Sequence, residues 1–114
     1  MIEINKCKNY QELSNLVADI VERQLNKKSD SRFILPTGST PIGLYKELVN
    51  RDLNWSNVIT YNLDEYLDNA IEEQSYYNFM SENLFKHINI EEDNICFPYD
   101  ITVWPDMRYG QDVD

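Results

Sequence analysis

The chain has 114 residues, enough for one domain with a real core and too few for a second. Its formal charge is −10, unevenly placed: residues 1–63 hold eight basic and seven acidic side chains, residues 64–114 two and thirteen. That balance argues against nucleic acid and anionic membrane as partners, since both are held mainly by Lys and Arg, and an anionic ligand would have to be held by backbone groups.

Two cysteines, Cys7 and Cys96, lie far apart without metal-ligand spacing, and neither a secretory signal nor a long apolar run is present. The expectation is a reduced, soluble, cytoplasmic protein.

Along the chain, strand and helix signals alternate. Ile2 to Asn5 alternates apolar with polar and predicts a short strand. Asn9 offers an N-cap with Glu12 three residues on, as in a capping box, and Tyr10, Leu13, Leu16, Val17, Ile20, Val21 and Leu25 recur at helical spacing. Leu13, Leu16, Ile20 and, further on, Leu48 are expected in the core. Arg32 to Pro36 is a short run whose Phe33, Ile34 and Leu35 suit a strand buried on both faces. From Pro41, residues Ile42, Leu44, Tyr45, Leu48 and Val49 fall on one helical stripe. Asn57 to Asp64 is rich in β-branched and aromatic residues and predicts another strand. Ser75 is a candidate cap for a helix carrying Tyr76, Phe79, Met80 and Leu84, and the run near residue 95 predicts a further strand. Strands alternating with helices imply right-handed crossovers and a parallel sheet, the α/β class.

The stretch Leu35 to Tyr45, LPTGSTPIGLY, therefore joins a strand to a helix, and it uses two of the chain's three glycines. Thr40 is the predicted helix cap, and Pro41 suits the first turn. Thr37, Gly38 and Ser39 place backbone N–H groups and hydroxyls at the positive end of the helix dipole, which is how a fold with few cations binds a phosphate. The same residue types also suit an ordinary capped turn, so the residues alone leave both readings open. Gly43 lies inside the helix, where glycine is costly, and close backbone packing is the predicted reason.

A second stretch, Thr60 to Asp68, leads out of the next strand. Asn62, Asp64 and Glu65 would leave its carboxyl end, the edge of an open α/β sheet where ligands bind, so that both loops face one crevice. A carboxylate there has the chemistry of a general base, although acidic residues after a strand also serve simply to cap and solvate a loop.

Taken together, LPTGSTPIGLYKELV, VITYNLDEYL and QSYYNFMSENLFKHINI, in this order and at nearly these separations, resemble the N-terminal half of the glucosamine-6-phosphate deaminases (isomerases). The resemblance runs from about Arg32 to Ile95. The chain is less similar to the related 6-phosphogluconolactonases, which usually carry Asp-Glu-Arg where this sequence has Asp64, Glu65 and Tyr66. The resemblance implies a partial doubly wound, Rossmann-like parallel sheet with helices on both faces. It also implies that Thr37, Gly38, Ser39 and Thr40 hold a sugar phosphate. Asp64 would be the base that moves a proton from C2 to C1 of the ring-opened amino sugar, with Asn62 and Glu65 in support. Ammonia would leave and fructose 6-phosphate result, with no metal or organic cofactor.

Family members are more than twice as long, and their second half carries an Asp-Gly-His type segment with the ring-opening histidine. This sequence has no such segment, and its single histidine, His87, lies at a predicted helix end, where the helix dipole accounts for it. Residues 1–97 are expected to form the N-terminal portion of the domain. Residues 98–114 are expected to be an irregular tail unlike the family, as in a truncated, frameshifted or partial reading frame. Alternatives to the deaminase reading are a non-catalytic fragment, binding a sugar phosphate or pairing with another protein, and a 6-phosphogluconolactonase-like hydrolase. Homo-oligomerisation, or association through an unfinished sheet edge, is the expected mode of protein partnership.

Overall fold

In the computed structural model, which describes residues 2–63 and 76–98, the first helix, α1 (Tyr10–Lys27), starts at its expected cap. The Asn9 side chain accepts the Glu12 N–H at 2.8 Å. The Glu12 carboxylate reaches back to the Lys8 N–H at 3.2 Å, one residue earlier than in the standard reciprocal box. Ile2 to Asn5, expected as a strand, is not one. Ile2 and Ile4 stand 86% and 80% exposed, and alternation without a neighbouring strand leaves the backbone groups no ladder to join.

The buried line of α1 is Ser14, Ala18, Val21 and Leu25. Leu13 and Ile20, expected in the core, are 41% and 45% exposed, and Leu16 is half-buried. The reason is the close approach of α2 (Ile42–Asn50): a Cβ on Gly43 would lie 2.4 Å from Ser14 Oγ. Small residues let the two helices meet along the Ser14 side and turn the larger side chains outward. Gly43 is thus required by packing, as its sequence position predicts. Arg51 pins the far end of the pair, bonding Asp19 at 2.7 Å and Glu22 at 3.1 Å on α1 and Glu47 at 3.4 Å on α2.

Three short strands, β1 (Arg32–Ile34), β2 (Ile59–Tyr61) and β3 (Ile95–Cys96), form a parallel sheet in the order β1-β2-β3. Phe33 pairs with Thr60, and Thr60 with Ile95. The links Leu35 N–H to Tyr61 C=O and Asn62 N–H to Cys96 C=O, 2.9 and 3.0 Å, extend the pairing one residue beyond the strand ends. The crossovers are α2 and, after β2, α3 (Tyr76–Asn83), followed by short 3₁₀ turns at Phe85–His87 and Glu92–Asn94. The proposed cap Ser75 lies outside the described residues.

Because the strand order advances in one direction, two right-handed crossovers place α2 and α3 on the same face. One cluster results, in which Ala18, Val21 and Leu25 of α1, Tyr45 and Leu48 of α2, and Met80 of α3 join Leu35, Trp55, Val58, Leu84, Phe85 and Phe97. The Phe33 and Trp55 rings lie 6.0 Å apart at a tilt, and Tyr77 meets Phe97 edge-on at 5.5 Å. The other sheet face is bare of described helices. Ile34 is 66% exposed there, which corrects the expectation that β1 is buried on both faces. No described helix is long and apolar enough to cross a membrane. Cys7 and Cys96 are not joined in a disulfide, and Cys96 is buried.

Candidate functional site

The carboxyl ends of β1 and β2 open into a cleft of about 360 Å³ lined by Ile34, Leu35, Pro36, Thr37, Asn62 and Leu63. The described starts of the loops after the two strands thus share one crevice, as the topology requires. No Lys or Arg is among these lining residues.

Asn62 is 1% exposed, and its Nδ2 donates to the Leu35 carbonyl at 2.8 Å. That bond ties the exit of β2 to the exit of β1, so the two loops are held in register by a buried amide rather than by backbone alone. Asp64 and Glu65 come after Leu63 in the chain and lie outside the described residues.

The loop from Pro36 to Pro41 is held at both ends by phenols. At the inner end the buried Tyr45 hydroxyl donates to the Pro36 carbonyl, and burial pushes its ionisation well above the usual tyrosine range. In a trans peptide the N–H points opposite to the C=O, so anchoring the Pro36 carbonyl inward turns the Thr37 N–H away from the core. At the outer end the Tyr10 hydroxyl donates to the Thr40 carbonyl at 2.9 Å and accepts the Gly43 N–H at 2.7 Å.

The predicted cap is therefore corrected. Pro41 occupies the N-cap position without a side-chain bond, and Thr40 does not cap the helix. The Ile42 N–H bonds the Ser39 carbonyl at 3.3 Å, and a phenol arriving from α1 takes the next donor. Between these anchors the N–H groups of Thr37, Gly38, Ser39 and Thr40 donate to no described residue. Gly38 has φ +104°, a conformation that glycine adopts without strain, and nothing stands within 4 Å of where its Cβ would be. The outcome is a short run of open donors with clear space beside Gly38, a chemistry suited to an anion.

Sequence reasoning did not find Tyr10 or Tyr45 as parts of this loop. Both fall on apolar helical stripes, where an aromatic ring is explained by burial alone. The only signal was Gly43, whose mid-helix position demanded a close neighbour without saying which.

A larger hollow of about 500 Å³ lies beside the segments that lead into β2 and β3, away from the loop ends, and includes Asn54, Lys86, His87 and Asn89. Its polar groups serve one another. Asn89 accepts the Trp55 N–H at 2.7 Å and donates to Asn54 at 2.9 Å, and Lys86 pairs with Glu82 at 2.7 Å. The His87 ring nitrogen sits 2.9 Å from the Glu82 carbonyl near the end of α3, in keeping with its reading as a helix-end residue. Among the described residues no group of three or more His, Cys, Asp or Glu side chains is placed to hold a metal ion.

Residues 5–104 match the family described as glucosamine-6-phosphate isomerases/6-phosphogluconolactonase. A glucosamine-6-phosphate deaminase of Clostridium botulinum (strain Eklund 17B / Type B) is 46% identical over 102 residues, which is 85% of this chain and 41% of that protein. One from Thermoanaerobacter sp. (strain X514) is 44% identical over 95 residues, 79% of this chain and 38% of its own length. Among solved structures, a monomeric glucosamine-6-phosphate deaminase superposes with a TM-score of 0.84 at 31% identity, covering 99% of this chain and 50% of that one. The 6-phosphogluconolactonase of Thermotoga maritima shares the fold at a TM-score of 0.68 and 21% identity, covering 85% of this chain and 44% of its own. The chain thus spans two fifths to half the length of these relatives.

Proposed function

This chain belongs to the glucosamine-6-phosphate isomerase/6-phosphogluconolactonase family, and from that premise we propose that its cleft is the sugar-phosphate and enolising part of a glucosamine-6-phosphate deaminase site. The observation that carries this reading is the open run of N–H groups from Thr37 to Thr40, which starts from Thr37 in the lining of a cleft that Asn62 also lines.

In this reading the phosphate of glucosamine 6-phosphate is bound by the loop amides together with the hydroxyls of Thr37, Ser39 and Thr40, in the manner of an anion over a backbone concavity. Asp64 follows Asn62 by two residues and takes the proton from C2 of the ring-opened amino sugar, returning it to C1. Water then replaces ammonia at C2, which leaves fructose 6-phosphate and free ammonia. Asn62 holds the two loops together, and Glu65 flanks the base. The sugar is the partner, and amino-sugar catabolism in the cytoplasm is the setting.

The deaminase reading is preferred over a lactonase because the relatives at 44–46% identity are named glucosamine-6-phosphate deaminases, whereas the 6-phosphogluconolactonase structure at 21% identity supports the fold alone. A second reading, binding without turnover by these 114 residues, is favoured by one observation. Their single histidine is engaged with the Glu82 carbonyl, away from the cleft, so ring opening by an imidazole has no candidate among them.

Two experiments test the proposal. Adding inorganic phosphate or glucosamine 6-phosphate to the labelled chain should shift the amide signals of Gly38, Ser39 and Thr40 first, and a folded sample in which they do not move would remove the phosphate site. In the chain complemented by the C-terminal half of a relative, Asp64→Asn should leave substrate binding nearly intact and lower turnover by about 10²-fold or more. Unchanged turnover would remove Asp64 from the chemistry.

A further inference from the structure

The Tyr10 phenol is a polar group beside the cleft loop to which the reaction assigns no task. It stands in the first turn of α1, is 49% exposed, and reaches across to α2. Its oxygen accepts the Gly43 N–H at 2.7 Å and donates to the Thr40 carbonyl at 2.9 Å, with the Ser39 carbonyl at 3.5 Å. The site is built to admit the ring, because a Cβ on Gly43 would come within 2.7 Å of Tyr10 Cε2 and 2.9 Å of Cζ. Without the phenol, α2 has no side-chain cap.

The bonds around the Ser39 carbonyl set which way the Thr40 donor faces. The Ser39 carbonyl is drawn toward the helix by the Ile42 N–H, and the phenol lies beside it. In a trans peptide this turns the Thr40 N–H outward, away from the helix. The Gly43 N–H, which would otherwise be an orphan donor of the helix start, is already taken.

Resting on the sugar-phosphate reading above, we infer that Tyr10 is a positioning residue for the anion. Its hydroxyl closes the α2 helix end and orients the loop, so that phosphate is held by the amides of Gly38, Ser39 and Thr40 and kept off Gly43.

The test is amide NMR on the full chain titrated with inorganic phosphate and then glucosamine 6-phosphate, at a temperature where every variant is fully folded. In the parent, Gly38, Ser39 and Thr40 should move while Gly43 does not. Tyr10→Phe keeps the ring over Gly43 and removes only the hydroxyl. It should raise the phosphate Kd roughly 3- to 10-fold, the scale of one or two hydrogen bonds. Gly43→Ala, whose Cβ displaces the ring, should raise it similarly and serves if the first variant folds poorly. A residue that only stabilised the fold would lower the melting temperature and leave the Kd of the folded protein unchanged. A Tyr10→Phe Kd within about twofold of the parent, or a Gly43 amide that titrates with phosphate in the parent, overturns the inference while leaving the site in place. Silence of all four amides in the parent removes the site and the inference with it.

Discussion

The two faces of the β1-β2 pair are made from the same few residues, taken alternately, and they live in opposite surroundings. On one face Leu35, Thr60 and Asn62 are 7%, 0% and 1% exposed, under the layer that holds Tyr45, Leu48 and Met80. On the other, Ile34 and Leu63 are 66% and 65% exposed, and Arg32 reaches the Tyr61 hydroxyl at 3.1 Å beside a shallow apolar hollow. The covered face carries both the stability and the hardware that aims the cleft, since the Asn62 and Tyr45 side chains that anchor the loop are buried with it. Among the described residues, nothing covers the apolar side chains of Ile34 and Leu63 on that second face.

The largest expected effect separates the faces by stability. Leu48→Ala removes a fully buried side chain and should cost about 2–5 kcal/mol. Ile34→Ala, on the bare face, should cost no more than about 0.5 kcal/mol, the scale of an exposed site. Thermal melts of the two variants measure the contrast directly. Equal losses would mean that Ile34 is covered in solution.

A second test sharpens what the bare face does. No described strand pairs with the outer edge of β1, and Ile34 lies on that same strand. The 114-residue chain should therefore self-associate at micromolar concentration despite its charge of −10, and Ile34→Lys should shift it toward monomer while leaving its melting temperature within a few degrees. Sedimentation velocity reads both. A parent chain that is monomeric and melts cooperatively above about 60 °C would show that this face drives no association.

How much of this was legible beforehand follows from the range of the forces involved. The three strands and three helices among the described residues, and the placing of both loop starts in one crevice, depend on local periodicity and on the handedness of crossovers, and these are written in short windows of sequence. The Asn9 cap and the need for glycine at position 43 are equally local. Leu13 and Ile20 misled because helical spacing shows that a stripe exists but not which part of it the neighbour touches, and the small Ser14 draws α2 to its own side. Ile2 to Asn5 misled because a strand is a property of a pair. Thr40 is a good cap by type, yet a tyrosine thirty residues upstream supplies the bond, a contact that no local pattern encodes. Asp64 and Glu65 rest on the family resemblance, since they fall outside the described residues.

The smallest expected effect lies wholly within the covered face and concerns sign rather than size. Thr60 and Asn62 are neighbours on that face, both polar and both almost fully buried. Asn62 donates to the Leu35 carbonyl, so Asn62→Leu should destabilise by about 1–3 kcal/mol, because it leaves a buried carbonyl without its donor. The Thr60 hydroxyl has no partner among the described residues. Thr60→Val keeps the β-branched shape and removes the group that is costly to bury, so it should leave stability unchanged or raise it by about 1 kcal/mol. Denaturant melts of the two single variants, with equal m-values as the check that the unfolded state is unaltered, give the comparison. If Thr60→Val instead lost about 1 kcal/mol or more, the hydroxyl would have a hydrogen-bond partner in solution. The covered face would then hold a polar network beneath the cleft that includes Thr60 as well as the Asn62 tie between its two loops.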